Sequence, residues 1–342
     1  MRSFFLVTLV YLAAALVVVS ATQGAPAAVL ASAGDAMLTL AGLMTIPVTL
    51  VFALAALREV FWPTLNARDR LVDVWLGSVS ALVLQVAFSV FKTALPGIVP
   101  FYADPALASL DAWIHGGTNA FELVHAWGYG LSTAYANWTY LHVWSFLAVL
   151  FPIVLSLTDE DRARRKRYLT LYLGCWIILG NVMALAASSV GPVFYDQLVG
   201  GTRFAALGTA LQQSGISDSQ IGAVQSYLLH NYLANLQQPS AAISAFPSMH
   251  VAIGAIYALY LAERSRWLAP LGAAFLLVIL FLSVFTGYHY AIDGYASIVL
   301  VAAGWWVLRV DHNAFGIRIA RATDALISRG SPVALRLPRS LR

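Results

Sequence analysis

Two short segments near the C-terminal end carry the residues best suited to chemistry: Phe246–His250, with the sequence FPSMH, and Gly287–Asp293, with the sequence GYHYAID. In the second segment His289 and Asp293 are four residues apart, so both side chains project from one face if the following helix reaches back this far. A carboxylate bound to one imidazole nitrogen fixes the tautomer and leaves the other nitrogen free to attack an electrophile. The spacing therefore predicts that His289 is a nucleophile oriented by Asp293.

His250 and Ser248 in the first segment supply complementary groups. His250 stands at the start of a predicted helix, where its ring can protonate a leaving oxygen. Ser248 adds a hydroxyl among the free backbone N–H groups of that helix start, which suit an anion. Two histidines, one carboxylate and an anion site favour phosphoryl transfer over acyl transfer. We therefore predict that His250 is a general acid and that Ser248 binds phosphate.

The elements that must position these residues are membrane helices. The chain has 60% apolar and only 11% charged residues, whereas soluble proteins carry about 25% charged residues. Apolar runs of about 20 residues indicate spanning helices, because lipid offers backbone polar groups no partner outside the helix. Eight such runs predict an all-α polytopic transmembrane helix bundle: Phe4–Ser20, Ala36–Leu57, Val72–Phe91, Leu141–Leu157, Tyr168–Ser189, Val251–Ala262, Trp267–Thr286 and Ala291–Leu308.

The first run has a second interpretation as a cleaved secretory signal, because the small-residue stretch Ser20–Ala25 follows it. We favour a retained anchor. Only Arg2 precedes the run, and the run is long and rich in Ala and Val.

Basic residues alternate across the predicted spans. With a cytoplasmic N-terminus, 18 of the 20 Lys and Arg residues lie on the inner side, which is the positive-inside pattern for an even number of spans. Only Lys92 and Arg203 remain outside, on the face that also receives both histidines and the aspartate of the two segments. We therefore predict an extracytoplasmic active site with both termini cytoplasmic, in the inner (plasma) membrane of a bacterium.

Two long segments are predicted on the outer side, Thr93–Tyr140 and Val190–Ala245. The second contains a predicted amphipathic helix, Ser217–Leu236, capped by Ser217 or Asp218. We expect the two segments to roof the site and to admit a lipid from the side. The first segment is rich in aromatic residues suited to the lipid–water boundary, namely Trp113, Trp127, Tyr129, Tyr135, Trp138 and Tyr140.

No repeat, glycine-rich phosphate loop or linker divides the chain, so we predict one polytopic domain. Its parts are N-terminal transmembrane helices in residues 1–90, a catalytic transmembrane region in 91–310 and a basic cytoplasmic tail in 311–342. The basic tail and the cluster Arg162–Arg167 suit anionic lipid headgroups. They indicate topology and do not predict a nucleic-acid partner.

The segments Pro247–His250 and His289–Asp293 resemble the PSGH-type and HYxxD motifs of the type-2 phosphatidic acid phosphatase superfamily. The resemblance covers roughly Ala245–Arg309, and the rest of the chain is similar only in topology. It implies a phosphohistidine on His289, with Asp293 as its orienting group and His250 as the general acid. Hydrogen bonding explains the HYxxD spacing, and no Cys or second carboxylate joins it, so neither a metal nor a cofactor is predicted.

Two departures from the family pattern concern phosphate-binding arginines. Ser283 stands six residues before His289, where the family usually has Arg, and Lys92 is followed seven residues on by Val99 instead of Arg. This is similar to the inositol phosphorylceramide synthase and sphingomyelin synthase branch, whose members move a phosphorylated headgroup from a phospholipid to a lipid alcohol. A phosphodiester carries less charge than a phosphomonoester and needs fewer cations. The resemblance thus implies a lipid phosphotransferase that moves a phospho-headgroup such as phosphoinositol.

Lys92 and Arg203 are candidate phosphate-binding residues because they are the two outer cations, although both can also reach lipid headgroups. Two other functions stay open. A lipid phosphate phosphatase of the phosphatidate or polyprenyl phosphate type uses water as acceptor. In a proton-coupled transporter, ionisable residues are expected at mid-depth in several spans. Here the ionisable residues gather at one end of the predicted spans. The predicted partners are a membrane phospholipid donor and a lipid or water acceptor.

Overall fold

The computed structural model describes residues 1–23, 26–61, 67–236 and 242–329, with 311–329 described as backbone. Residues 330–342 of the predicted basic tail lie outside the described residues. In chain order, the described helices are α1 (Arg2–Gln23), α2 (Pro26–Phe61), α3 (Ala67–Ile98), α4 (Asp104–Ile114), α5 (Ala120–Trp127), α6 (Thr133–Thr158), α7 (Arg162–Ala186), α8 (Pro192–Leu198), α9 (Ala205–Gln213), α10 (Gln220–Leu233), α11 (Met249–Arg264), α12 (Ala269–Phe285) and α13 (Ala291–Arg329).

The described part of the chain is all-helical, as predicted, and forms a polytopic membrane protein. Five of its helices are long and apolar enough to cross a bilayer: Arg2–Thr22, Arg68–Ile98, Thr133–Thr158, Arg162–Ala186 and Ala291–Val310. They coincide with five of the eight predicted runs. The other three runs are also helical: α11 has 16 residues, α12 has 17, and α2 is a helix of 36 residues that contains the apolar stretch Val29–Gly42. The eight-span topology stays a prediction.

Helix α3 lies at the centre of the bundle and packs against α1, α2 and α6, while α11 packs against α12 and α13. Small residues bring the helices close, as membrane bundles require. A Cβ on Gly272 of α12 would lie 2.8 Å from the Cα of Ala258 of α11. Asn181 of α7 donates its amide to the hydroxyl of Tyr11 on α1. Its polar group thus joins two helices, as membrane-buried amides commonly do.

Ion pairs join the helices at the ends near Asp159, Glu160 and Glu263. Arg164 binds Asp159 at 2.6 Å, and Arg58 and Arg70 share Glu160 at 3.4 Å each. Arg167 binds Glu263, the residue that also accepts from the hydroxyl of Tyr168 and the indole of Trp305. Arg164 and Arg167 of the basic cluster Arg162–Arg167 therefore bond within the protein.

The two long segments predicted on the outer side, called the outer segments below, fold into short helices, with two differences from prediction. The amphipathic helix α10 begins at Gln220 and not near Ser217, because the hydroxyl of Ser219 caps it by accepting from the N–H of Ile221. Most of the outer aromatic residues are exposed, as expected at a lipid–water boundary: Trp113 76%, Trp127 77%, Tyr129 95%, Tyr135 45% and Trp138 63%. Tyr140 differs, since it is fully buried.

Candidate active site

Helix α13 begins at Ala291, so His289 stands just before the helix and not within it. The pair forms nevertheless: Asp293 Oδ2 lies 3.3 Å from His289 Nδ1 and accepts the N–H of Tyr290 at 3.1 Å. A side chain at the third helical position that bonds the N–H of the capping residue is the reciprocal half of a capping box. Asp293 therefore caps its own helix and binds the imidazole with one oxygen. Both residues are buried, with Asp293 fully so.

This contact defines the tautomer of His289. Because the carboxylate can only accept, Nδ1 carries the proton and Nε2 keeps its lone pair. The loop before the helix is held in shape by the His289 N–H bond to the carbonyl of Ser283 at 3.2 Å. Gly287 supplies the left-handed backbone with φ of +76° that this turn requires. The residues thus present an oriented nitrogen lone pair.

His250 is the second residue of α11, whose first turn is capped by Ser248. Its ring lies between two aromatic rings of α6, stacked on Tyr140 at a centroid distance of 4.1 Å and against Trp144 at 3.9 Å. The indole N–H of Trp144 also donates to the backbone carbonyl of His250 at 3.0 Å. The orientation of this imidazole is therefore fixed by ring contacts. Among the described residues, none forms a hydrogen bond with its ring nitrogens.

The rings of His250 and His289 approach each other at 6.0 Å between centroids with an angle of 60°. Both line one cavity of about 300 Å³ between α3, α6, α7 and the outer segments. Most of its wall is apolar or aromatic, including Leu40, Phe88, Leu141, Trp144, Trp176, Ala184, Val190, Phe194, Val224, Leu228, Ile243 and Met249. The widened π-helical turns Trp138–Val143 and Cys175–Met183 both border it. Such turns are frequent at functional sites.

The structure separates the predicted phosphate-binding residues. Lys92 lines the cavity with both histidines and has no hydrogen bond or ion pair among the described residues. Arg203 instead donates to the carbonyl of Ala108 at 2.8 Å and to the hydroxyl of Ser109 at 3.2 Å. Ser248 is fully buried, and its hydroxyl caps α11 by accepting the N–H of Val251. Neither Arg203 nor the Ser248 hydroxyl is brought to the cavity, because each already bonds nearby groups.

Two carboxylates on α4, which the sequence reasoning missed, hold the second motif. Asp104 accepts hydrogen bonds from the hydroxyl of Tyr290, at 2.9 Å, and from the N–H groups of Val190 and Gly191. Asp111 accepts the N–H of Ile292 at 3.0 Å. Burial raises the pKa of Asp104, although these hydrogen bonds act in the opposite direction. The two aspartates thus hold the segment between His289 and Asp293 by hydrogen bonds. Because the partners are more than 180 residues apart in the chain, no local sequence pattern predicts these contacts.

Comparison with protein families gives a match to the PAP2 superfamily over residues 105–307, more than half of the chain. The chain belongs to the PAP2 superfamily. This confirms the predicted resemblance at the level of the superfamily. The match does not distinguish the inositol phosphorylceramide synthase-like branch, which stays a prediction. No curated protein and no solved structure matches the chain.

PAP2 proteins are typically histidine-dependent phosphatases and phosphotransferases that act on lipid phosphates. The structure shows the surroundings of Ser283, one of the two departures from the PAP2 pattern. Ser283 is fully buried in α12, where its hydroxyl donates to the carbonyl of Leu280 at 2.7 Å. No cation occupies that position, and Lys92 is the basic residue that lines the cavity among those described.

Two histidines outside the two motifs have side-chain bonds of their own. His115 contacts the carbonyl of Asp111 and the hydroxyl of Tyr295, and His125 donates to the carbonyl of Phe285. Burial lowers the pKa of His125. Among the described residues, no three His, Cys, Asp or Glu side chains form a group able to hold a metal ion.

Proposed function

We propose that this PAP2 protein is a lipid phosphotransferase that moves a phospho-headgroup from a phospholipid to a lipid alcohol through a phosphohistidine. The observation that carries the proposal is the cavity in which His250, His289 and Lys92 meet against apolar walls. A single cation suits the single negative charge of a phosphodiester. An apolar cavity also excludes bulk water, which favours an alcohol acceptor.

In the first step, the Nε2 lone pair of His289 attacks phosphorus, and the bond from phosphorus to the lipid oxygen breaks. Asp293 accepts from Nδ1–H and stabilises the positive charge that the imidazole acquires. In its protonated form, His250 gives a proton to the departing oxygen, so diacylglycerol leaves as a neutral alcohol. Lys92 balances the phosphate charge.

In the second step, neutral His250 accepts the proton of the acceptor hydroxyl, whose oxygen attacks the phosphohistidine. The bond from phosphorus to nitrogen breaks and returns the electron pair to Nε2 of His289. The headgroup is then on the acceptor, and His250 is protonated for the next cycle. His250 thus acts as an acid in the first step and as a base in the second, as microscopic reversibility requires.

We also propose the eight-span topology with the cavity on the extracytoplasmic face. What supports it is the charge pattern, because this topology would place 18 of the 20 Lys and Arg residues on the opposite side. The outer segments carry α4, α5, α8, α9 and α10, and the cavity opens beneath residues of both. The donor would then come from the outer leaflet.

Product analysis tests the proposed reaction. Purified protein is incubated with headgroup-labelled phospholipid, with and without ceramide or diacylglycerol. We expect the label in a new phospholipid whose formation requires the lipid alcohol. If the label is released only as the water-soluble phosphorylated headgroup, or as inorganic phosphate when the lipid is phosphatidate, at a rate independent of the lipid alcohol, the protein is a hydrolase and the transferase proposal is contradicted.

Lys92→Gln is expected to lower kcat/KM about 10- to 100-fold, because a hydrogen bond to a charged group contributes about 1.5–3 kcal/mol. Arg203→Gln provides the matched control. It removes the other outer cation, which bonds α4 and does not line the cavity. Its activity per folded molecule is expected to stay within about twofold of wild type. Equal losses in the two variants would show that Lys92 has no special role at the phosphate.

A further inference from the structure

Helix α12 leads directly into the turn that carries His289, and the last carbonyl groups of a helix have no partner within it. Local backbone bonds use two of these carbonyls. The N–H of Gly287 donates to the carbonyl of Val284 at 2.9 Å, and the N–H of His289 donates to the carbonyl of Ser283 at 3.2 Å. The carbonyls of residues 285–287 come next in the chain, and the groups that donate to them determine what else holds the turn.

Each of these three carbonyls accepts a hydrogen bond from a different helix of the outer segments. The donors are Nε2 of His125 on α5 to Phe285 at 2.9 Å, Nε2 of Gln225 on α10 to Thr286 at 2.7 Å, and the N–H of Val193 on α8 to Gly287 at 2.9 Å. A carbonyl oxygen can only accept, which defines the direction of all three bonds. The outer segments therefore hold the turn before His289 at three consecutive positions.

The bond from Gln225 is the shortest of the three and lies away from water. Gln225 is only 7% exposed, and Thr286 is fully buried. A buried carbonyl that loses its donor costs more free energy than the bond itself contributes, because water cannot replace the donor. The backbone of the turn can relieve that cost by rotating toward another donor. Because His289 follows Thr286 by three residues, such a rotation moves the imidazole.

The position of α10 is itself fixed by its neighbours. The N–H of Ile221 at the start of the helix donates to Oδ1 of Asn137 on α6 at 3.0 Å. Val224 and Leu228, four residues apart on one face, line the cavity that contains the two histidines. Gln225 thus extends toward the turn from a helix that is anchored at its start and packed along its length. Side chains on such rigid elements position a site more precisely than side chains on loops.

Building on the proposed function, we propose that Gln225 is a positioning residue for the nucleophile. Its amide holds the carbonyl of Thr286 and thereby keeps Nε2 of His289 aligned with phosphorus. Gln225 is not among the residues that line the cavity, so it acts through the turn and not on the lipid. Attack requires reacting atoms about 3–3.5 Å apart and aligned, and a misplacement of about 1 Å can lower the rate about 100-fold. The role therefore concerns the rate of bond formation to phosphorus and not the affinity for lipid.

Gln225→Met tests this role, because it keeps the length of the side chain and removes the donor. The purified variant is mixed with headgroup-labelled phospholipid without acceptor and quenched in alkali at successive times. We expect the rate constant for labelling of the protein to fall about 10- to 100-fold. The lipid concentration that gives half the maximal rate should stay within about twofold of wild type, as should the final labelled fraction. A residue that only stabilises the fold would instead lower the labelled fraction and leave the rate constant unchanged.

Asn231→Leu is the matched control. Asn231 is a second buried amide on α10, 3% exposed, but it donates to the carbonyl of Tyr227 within the same helix at 2.7 Å. Its labelling rate constant should stay within about twofold of wild type, whatever its thermal stability. An unchanged rate constant in Gln225→Met, or equal slowing in both variants, overturns the positioning role.

Failure of the proposed function gives different results. If the wild-type protein takes up no label, the phosphohistidine mechanism itself is wrong. If labelled protein forms but passes the label only to water, the transferase proposal alone is wrong. The rate comparison between Gln225→Met and Asn231→Leu then still decides whether Gln225 positions His289.

Discussion

His289→Ala is expected to reduce turnover by at least about 10⁴-fold while the protein stays folded and membrane-inserted. The nucleophile forms the bond to phosphorus, and losing such a group costs about 10⁴- to 10⁶-fold in enzymes that act through covalent intermediates. The contacts that position the loop are made largely by the backbone and by Tyr290, so the substitution leaves them in place. Headgroup-labelled phospholipid turnover by the purified variant is the measurement.

The same experiment can detect the intermediate. Wild-type protein quenched in alkali without acceptor should retain label on protein, because a phosphohistidine is stable there and is lost in acid. The His289 variant should retain none. His142→Ala is a matched control, because His142 lies on the outer part of α6 and its ring bonds Gln220 outside the cavity. Labelled protein in the His289 variant would assign the nucleophile to another residue.

His250→Ala is expected to lower turnover of natural phospholipids about 10²- to 10⁴-fold, the usual contribution of a general acid. The turnover of a nitrophenyl phosphodiester should fall far less, because nitrophenolate leaves without needing a proton. The ratio of rates for the two substrates is therefore the informative quantity. It also separates the proton donor from a structural role, since disturbing the stack with Tyr140 and Trp144 would slow both substrates alike.

Tyr140→Leu is the companion to that experiment. It removes the ring stacked at 4.1 Å on His250 and keeps the acid. If its losses are similar for both substrates while those of the His250 variant are selective, the imidazole acts by proton transfer. Identical profiles for the two variants would contradict the role of His250 as acid.

The sequence was sufficient to predict which motif residues meet and why. His250 and His289 stand at helix ends and line one cavity, and a pair four residues apart needs only local structure to form its contact. The boundary of α13 was less predictable. The carboxylate of Asp293 serves as a cap for Tyr290 N–H, so the helix begins after His289 and the contact forms across the cap.

Long-range contacts were beyond the sequence. Nothing local distinguishes Tyr140, which stacks on His250, from the exposed aromatics around it. The two outer cations also looked equivalent in the sequence. Tertiary packing gives Arg203 carbonyl and hydroxyl partners on α4 and leaves Lys92 facing the cavity. Only the folded arrangement could assign them different surroundings.

The hydrogen bonds between α4 and the second motif limit how segments of this protein can be exchanged with those of its relatives. Asp104 and Asp111 bond Tyr290 and Ile292 across separations of 186 and 181 residues. The family match begins at residue 105, one position after the first of these carboxylates. A chimera cut at that border would exchange the loop that carries His289 together with Asp111 but without Asp104 and Lys92. The smallest segment that can be transferred between relatives therefore starts upstream of α3, so that it contains both partners of each of these hydrogen bonds.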